Sequence, residues 1–410
     1  MKIHPENSKI ALVLPGGGAR CAFQVGVLRA IAEMVPHGCE SPFQVISGTS
    51  AGSINSVVLA TRARRFRVAV AELERVWGNF HSNQVFRADS LTMLKSSLQW
   101  FGAIVSGGLL VGTPNSLLDN SPLRALLSRN IRFPRIQQSI DDGYLHAIAV
   151  TAASYGSARS ATFFQAAPSC KSWSRTRRSG IRQAINLDHL MASIAVPMIF
   201  PPVTLGGEYF GDGAMRQATP LSPAIHLGAD RILVIGVRDE TADKLSDAGA
   251  PPEFPSIGMI AGYMLDTLFM DGLYSDLEHM TRVNQLIDSV PENQRSGPLS
   301  RMKAIDTMIV VPSRDLRDIA KECRKAMPRP VRALLRGISG RNSGEGRLLS
   351  YLLFEQAYTR ELIKLGYNDA LQVKNQLSDF IRGKDVPRLF APSWVRKDLS
   401  GFEHSTGPDR

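Results

Sequence analysis

A chain of 410 residues, 44% hydrophobic and 21% charged, has the composition of a globular protein with ample material for a core, which excludes a disordered or membrane-embedded chain. Its four cysteines, Cys21, Cys39, Cys170 and Cys323, stand singly without a CxxC pair, which suggests neither a disulfide framework nor a zinc site. The net charge of +11 gathers at 61–67, 172–182 and 321–336, a pattern suited to an anionic lipid surface, to nucleic acid, or to a solvated basic face.

In chain order, KIALVLP reads as a buried strand, CAFQVGVLRAIAEMV as a helix, FQVISG as a second strand and AGSINSVVLATRARR as a second helix. This rhythm predicts an α/β fold with a mainly parallel central sheet flanked by helices. Residues 144–155 and ATFFQAA follow as strands. NLDHLMASIAVPMIFPPV carries a helix that stops before Pro197, because proline disfavours helical geometry in its predecessor. RILVIGV and TMIVVPS supply further strands on either side of a long helical stretch. Beyond residue 315 the strand signals stop, and helical tracts near 315–337 and 346–382 predict a C-terminal helical extension. The division expected is 8–315 as the α/β domain, with its motifs within 11–226, and 316–410 as the extension with a poorly ordered tail.

The apolar run before Pro15 has only five residues, against about 7–15 in a secretory signal. The stretch Trp100–Gly112 is shorter than the roughly 17–25 residues of a membrane span. The expectation is a cytoplasmic protein with at most peripheral membrane contact. Residues 97–118 suit either a core segment or an apolar flap.

The second strand runs straight into GTSAG, Gly48 to Gly52, a G-x-S-x-G sequence in the strand-turn-helix context of a nucleophile elbow. That turn lifts Ser50 clear of the backbone. Glycines two residues away on each side, Gly48 and Gly52, remove Cβ atoms that would collide. A serine nucleophile needs a base, yet none of the eight histidines sits in a marked motif. Among the carboxylates, Asp212 ends an aromatic strand-like stretch and precedes Gly213-Ala214, where it reads as a tight turn or as a base. The first strand ends in Gly16-Gly17-Gly18 before a helix, the local form of an anion site. A nucleotide-binding reading of that loop fails because GGGARC lacks the third glycine of G-x-G-x-x-G, and G-x-x-x-x-G-K-[ST] is absent.

Taken together, GGGAR (16–20), GTSAG (48–52) and DGA (212–214), with ASIAVPMIFPPV (192–203) between the last two, resemble the patatin-like phospholipases, in particular bacterial members, over about residues 8–237. The resemblance implies a lipid acyl hydrolase working through a Ser/Asp dyad. Ser50 would be the nucleophile, Asp212 the base, and the amides of Gly16, Gly17 and Gly18 the oxyanion hole, with Arg20 stabilising the loop and Gly48, Gly52 and Gly213 supporting the turns. Cys21 departs from the glycine that many relatives carry after the arginine. The dyad implies no metal and no cofactor. Its substrate would be membrane or micellar phospholipid, with no nucleic-acid partner and no implied oligomeric state. The alternatives are a neutral-lipid esterase of the same mechanism, or a catalytically silent basic binding or scaffold protein, against which the presence of both Ser50 and Asp212 argues.

Overall fold

The computed structural model describes residues 8–87, 116–237, 256–297, 299–339, 345–384 and 386–395. Most of the 97–118 segment, and the end of the tail from residue 396, lie outside the described residues. The strands are β1 (Ile10–Leu14), β2 (Val45–Thr49), β3 (Ala147–Ser154), β4 (Ser160–Ala166), β5 (Trp173–Ser174), β6 (Arg178–Arg182), β7 (Val203–Leu205), β8 (Glu208–Asp212), β9 (Arg231–Ile235), β10 (Asp306–Val310) and β11 (Leu389–Phe390). The helices are α1 (Ala22–Met34), α2 (Ala51–Thr61), α3 (Phe66–Trp77), α4 (Ser121–Asn130), α5 (Pro134–Asp141), α6 (Leu187–Ser193), α7 (Ser222–His226), α8 (Ile257–Asp288), α9 (Leu316–Glu322), α10 (Arg329–Ser339), α11 (Glu345–Leu352), α12 (Gln356–Gln372) and α13 (Lys374–Ile381).

The sheet runs β11-β10-β9-β1-β2-β3-β4-β6-β5. The six strands from β11 to β3 are mutually parallel, and β4 reverses against β3. β1 is buried along its whole length, as a strand covered by helices on both faces must be. Its side chains alternate between two cores. Ile10, Leu12 and Leu14 pack with α1, α2 and α3, while Ala11 and Val13 pack with Leu221, Leu273 and Leu277 on the other face.

β3 outlasts its neighbour. β2 pairs with it from Val45↔Ala147 to Thr49↔Thr151 and then ends. The vacated edge is taken by β8, antiparallel, with Asp212 opposite Ala152. Glycine permits the tight β7–β8 connection, because Gly206 and Gly207 both adopt positive φ.

The regions beyond the motifs differ in detail from the sequence reading. β5, β6, β7 and β11 carry no apolar alternation from which a strand is read; β6 is RSGIR. The 315–337 tract divides into α9 and α10 near Pro328 and Pro330, and the 346–382 tract into α11, α12 and α13. Residues 316–390 share the core of β1 and α1, with Tyr358, Leu362 and Phe380 fully buried in it, and β11 extends the sheet beside β10.

Candidate active site

Two loops leave the carboxyl ends of the adjacent parallel strands β1 and β2, the place where open α/β sheets form binding crevices. The second carries Ser50 at φ 52°, ψ −135°, a left-handed conformation that a non-glycine residue adopts at a cost of about 1–3 kcal/mol. The space around it explains its glycines. A Cβ on Gly48 would come within 2.6 Å of Ser53 Cα, and one on Gly52 within 2.2 Å of the Leu14 carbonyl.

β3 brings the partner. Thr49 sits opposite Thr151 and Asp212 opposite Ala152, so the residue after Thr49 meets Asp212 at the break in the edge. Ser50 Oγ donates to Asp212 Oδ2 at 2.5 Å. The other carboxylate oxygen accepts from the Ala214 N–H at 2.9 Å. Gly213 allows that turn, since a Cβ there would lie 2.1 Å from the Thr151 carbonyl. Asp212 is 1% exposed. Burial pushes its carboxyl up to about 7, against the lowering effect of the hydrogen bonds from Ser50 and Ala214.

The glycine loop lies alongside. Gly16 and Gly17 are buried and Gly18, at φ 55°, is partly exposed. None of their three amides donates a hydrogen bond among the described residues. Gly18 and Ser50 line one cavity. Behind the loop, Gln24 donates to the Pro15 and Ile235 carbonyls and accepts from Asn55, which in turn accepts from Trp77 Nε1. The Arg20 guanidinium, 2% exposed, bonds Ser350 Oγ, Asp266 Oδ1 and Tyr351 OH and lies 3.8 Å from the centre of the Tyr351 ring. It therefore pins the loop to α8 and α11. Cys21 is buried with its Sγ 3.7 Å from the Pro15 carbonyl, and burial pushes its thiol well above the usual range. This is a packed thiol, not a reactive one.

Sequence reasoning missed Ser193. Its Oγ accepts from the Ser50 N–H at 2.9 Å and donates to the Thr151 carbonyl at 2.7 Å, clamping the elbow to β3. Only its position inside ASIAVPMIFPPV pointed toward it. Among the described residues no histidine bonds Ser50. Buried His189 accepts from the Asn186 N–H, and burial pulls its pKa down to about 4.

The cavity has an empty volume of about 1070 Å³, counting space open to solvent. Its wall is almost wholly apolar, with Ile54 and Val58 of α2, Trp77, Phe80, Leu127 and Phe354 among its residues. Among the described residues no cluster of three or more His, Cys, Asp or Glu side chains is arranged to hold a metal ion.

A family model described as Patatin-like phospholipase matches residues 12–225, just over half of the chain. The chain belongs to the patatin-like phospholipase family. It is 51% identical over 54 residues to "Patatin-like phospholipase domain-containing protein 7" of Rattus norvegicus and of Mus musculus, a stretch that is 13% of this chain and 4% of those relatives. The crystal structure of VipD from Legionella pneumophila matches 91% of this chain and 67% of its own at 12% identity, with a TM-score of 0.32. The patatin-like phospholipase region contains the glycine loop, Ser50, Ser193 and Asp212. The partners of Arg20, namely Asp266, Ser350 and Tyr351, lie beyond it.

Proposed function

We propose that the protein is a lipid acyl hydrolase that cleaves glycerolipid carboxylic esters through a Ser50 acyl-enzyme. The observation that carries this reading is the 2.5 Å hydrogen bond from Ser50 Oγ to a buried Asp212, beside a long apolar cavity. Ser50 attacks the ester carbonyl while Asp212 takes its proton. An unperturbed aspartate is a weaker base than histidine by about 2.6 pKa units. Burial that raises Asp212 to about 7 removes that deficit.

The tetrahedral oxyanion is held by the amides of Gly16, Gly17 and Gly18, whose free N–H groups suit a charge present only in the transition state. Arg20 acts at a distance, by holding this loop in place. Asp212 passes its proton to the departing alkoxide, then activates the water that releases the fatty acid. No step calls for a metal or cofactor.

The acyl chain occupies the cavity. From Ala51 to Thr61 the wall follows α2 for ten residues, about 15 Å at ~1.5 Å per residue. That equals half the ~30 Å hydrocarbon core of a bilayer, the length of one membrane acyl chain. Ile260, Tyr263 and Met264 form an exposed apolar face on α8 next to Leu265, which lines the cavity. This face, with the net charge of +11, favours peripheral docking on an anionic phospholipid surface, and phospholipid over neutral lipid. No helix among the described residues is long and apolar enough to cross a membrane.

The test is fatty-acid release from defined phospholipids and from triacylglycerol by wild type, Ser50→Ala and Asp212→Asn. Both substitutions are expected to lower kcat by about 10³-fold or more. Release at the wild-type rate by either protein removes the dyad.

A further inference from the structure

A second hollow lies behind the turn that follows Asp212, and its wall carries more polar and charged groups than the first cavity's. Its wall is formed by residues 214–219, by the strands around β6 and by α8. Arg177, Arg178 and Arg216 line it together with the hydroxyls of Thr162, Thr219 and Thr267, and among the described residues no carboxylate does. Two of the three arginines come from the 172–182 basic cluster, which the dyad leaves without a role. Among the described residues none of the three makes an ion pair. Arg178 donates from Nη1 to Thr219 Oγ1 at 2.5 Å, while its buried Nε has no hydrogen-bond partner.

A buried donor on a charged group, such as Arg178 Nε, is costly to leave unpaired. That penalty is relieved by an anion with several acceptor oxygens, which the planar guanidinium fork matches. Asp276 of α8, close enough for Arg178 to act on its charge, is already held by the Leu221 N–H at 2.9 Å. The aromatic surface is also taken, since the Trp173 ring in this wall is stacked on Phe164 and on His226. A base or sugar ring therefore finds no open face, and the features that remain are those of a phosphate site.

The hollow communicates with the elbow through one side chain. Gln217 lines it, contacts Thr49 Oγ1 immediately before Ser50, and donates to Thr151 Oγ1 at 3.3 Å. We propose that this hollow binds a phosphate group, borne by a lipid head group or free in solution, and that Gln217 links its occupancy to the position of the Ser50 turn. Binding there does not require Ser50 to be a nucleophile.

The experiment uses Ser50→Ala protein, so that lipid is not consumed, alone and combined with Arg178→Gln/Arg216→Gln. Inorganic phosphate is titrated by calorimetry, with Trp173 emission as a second readout from the wall. Binding to phosphatidylglycerol vesicles is compared with binding to monoacylglycerol micelles, which carry no phosphate. The expected result is saturable phosphate binding that the double substitution weakens about tenfold or more. Weakened phosphate binding with unchanged vesicle binding assigns the site to free phosphate; loss of the vesicle preference assigns it to the head group. The exposed Arg216→Gln alone, with melting temperature as a control, keeps the test valid where Arg178→Gln disturbs folding. The proposal is overturned by substituted proteins that bind phosphate and vesicles as Ser50→Ala does, or by a Ser50→Ala protein that neither binds phosphate nor prefers vesicles to micelles. These results are separate from those of the hydrolysis assay, so either reading can fail alone.

Discussion

Burial gives Asp212 a pKa of about 7 in the folded chain, compared with about 3.9 when it is exposed. In its proposed role as the base it must be ionised, so kcat/KM is expected to rise with pH through about 7 and to fall about tenfold per unit well below it. A pH–rate profile on a short-chain ester checks this, and a profile flat from pH 5 to 8 contradicts it. Stability runs the other way. Between about pH 4 and 7 the native state keeps a proton that the unfolded chain has released, so stability falls as pH rises through that window. Asp212→Asn removes the penalty. Its melting temperature is expected to exceed that of wild type at pH 8, reflecting on the order of 2–4 kcal/mol, and to converge with it near pH 4. Buried Asp212 and Ser50, held at positive φ, both cost stability, which the proposed dyad accounts for as a trade for activity.

At the level of elements, β3 is the ruler of the site. Its register sets Thr49 against Thr151 and Asp212 against Ala152, bringing together two residues 162 positions apart in the chain. The helix that follows Ser50 also lines the cavity, so in the proposed mechanism one rigid piece positions both the reacting carbonyl and the acyl chain. Val58 faces the cavity two turns along α2. Val58→Phe is expected to block the far half, lowering kcat/KM for palmitoyl esters about tenfold while octanoyl esters are spared. Equal effects on both chain lengths would place the acyl chain elsewhere.

On the scale of the whole molecule, the helices after residue 315 complete the core and the site together. α1 and α12 approach so closely that a Cβ on Gly26 would lie 2.0 Å from the Ile363 carbonyl, and one on Gly366 2.2 Å from that of Phe23. Arg20 carries the same dependence to the glycine loop, because Ser350 and Tyr351 are two of its anchors. A chain cut after residue 315 strips α1 of its cover and leaves a buried arginine without those anchors. It is expected to lose cooperative thermal unfolding and to bind hydrophobic dyes. A sharp melt from the 1–315 fragment would establish the shorter region as an independent domain.

The α/β class, β1, β2 and the elbow were legible because they rest on local signals, and the pairing of Ser50 with Asp212 only through the family resemblance. An apolar run ending in glycines has few alternative conformations, and three short motifs in order carry a family resemblance. Ser193, Gln24 and Asn55 were illegible, since a polar residue in an apolar stretch does not announce which buried carbonyl or amide it serves. β6 and β11 were missed because their pairing comes from the edge that receives them, not from their own pattern. The sequence by itself determined which groups the site contains. Only the tertiary structure decided their surroundings: the raised pKa of Asp212, the glycine-loop amides that find no acceptor among the described residues, and the gathering of three arginines depend on burial and on contacts between distant segments, which local order along the chain does not encode.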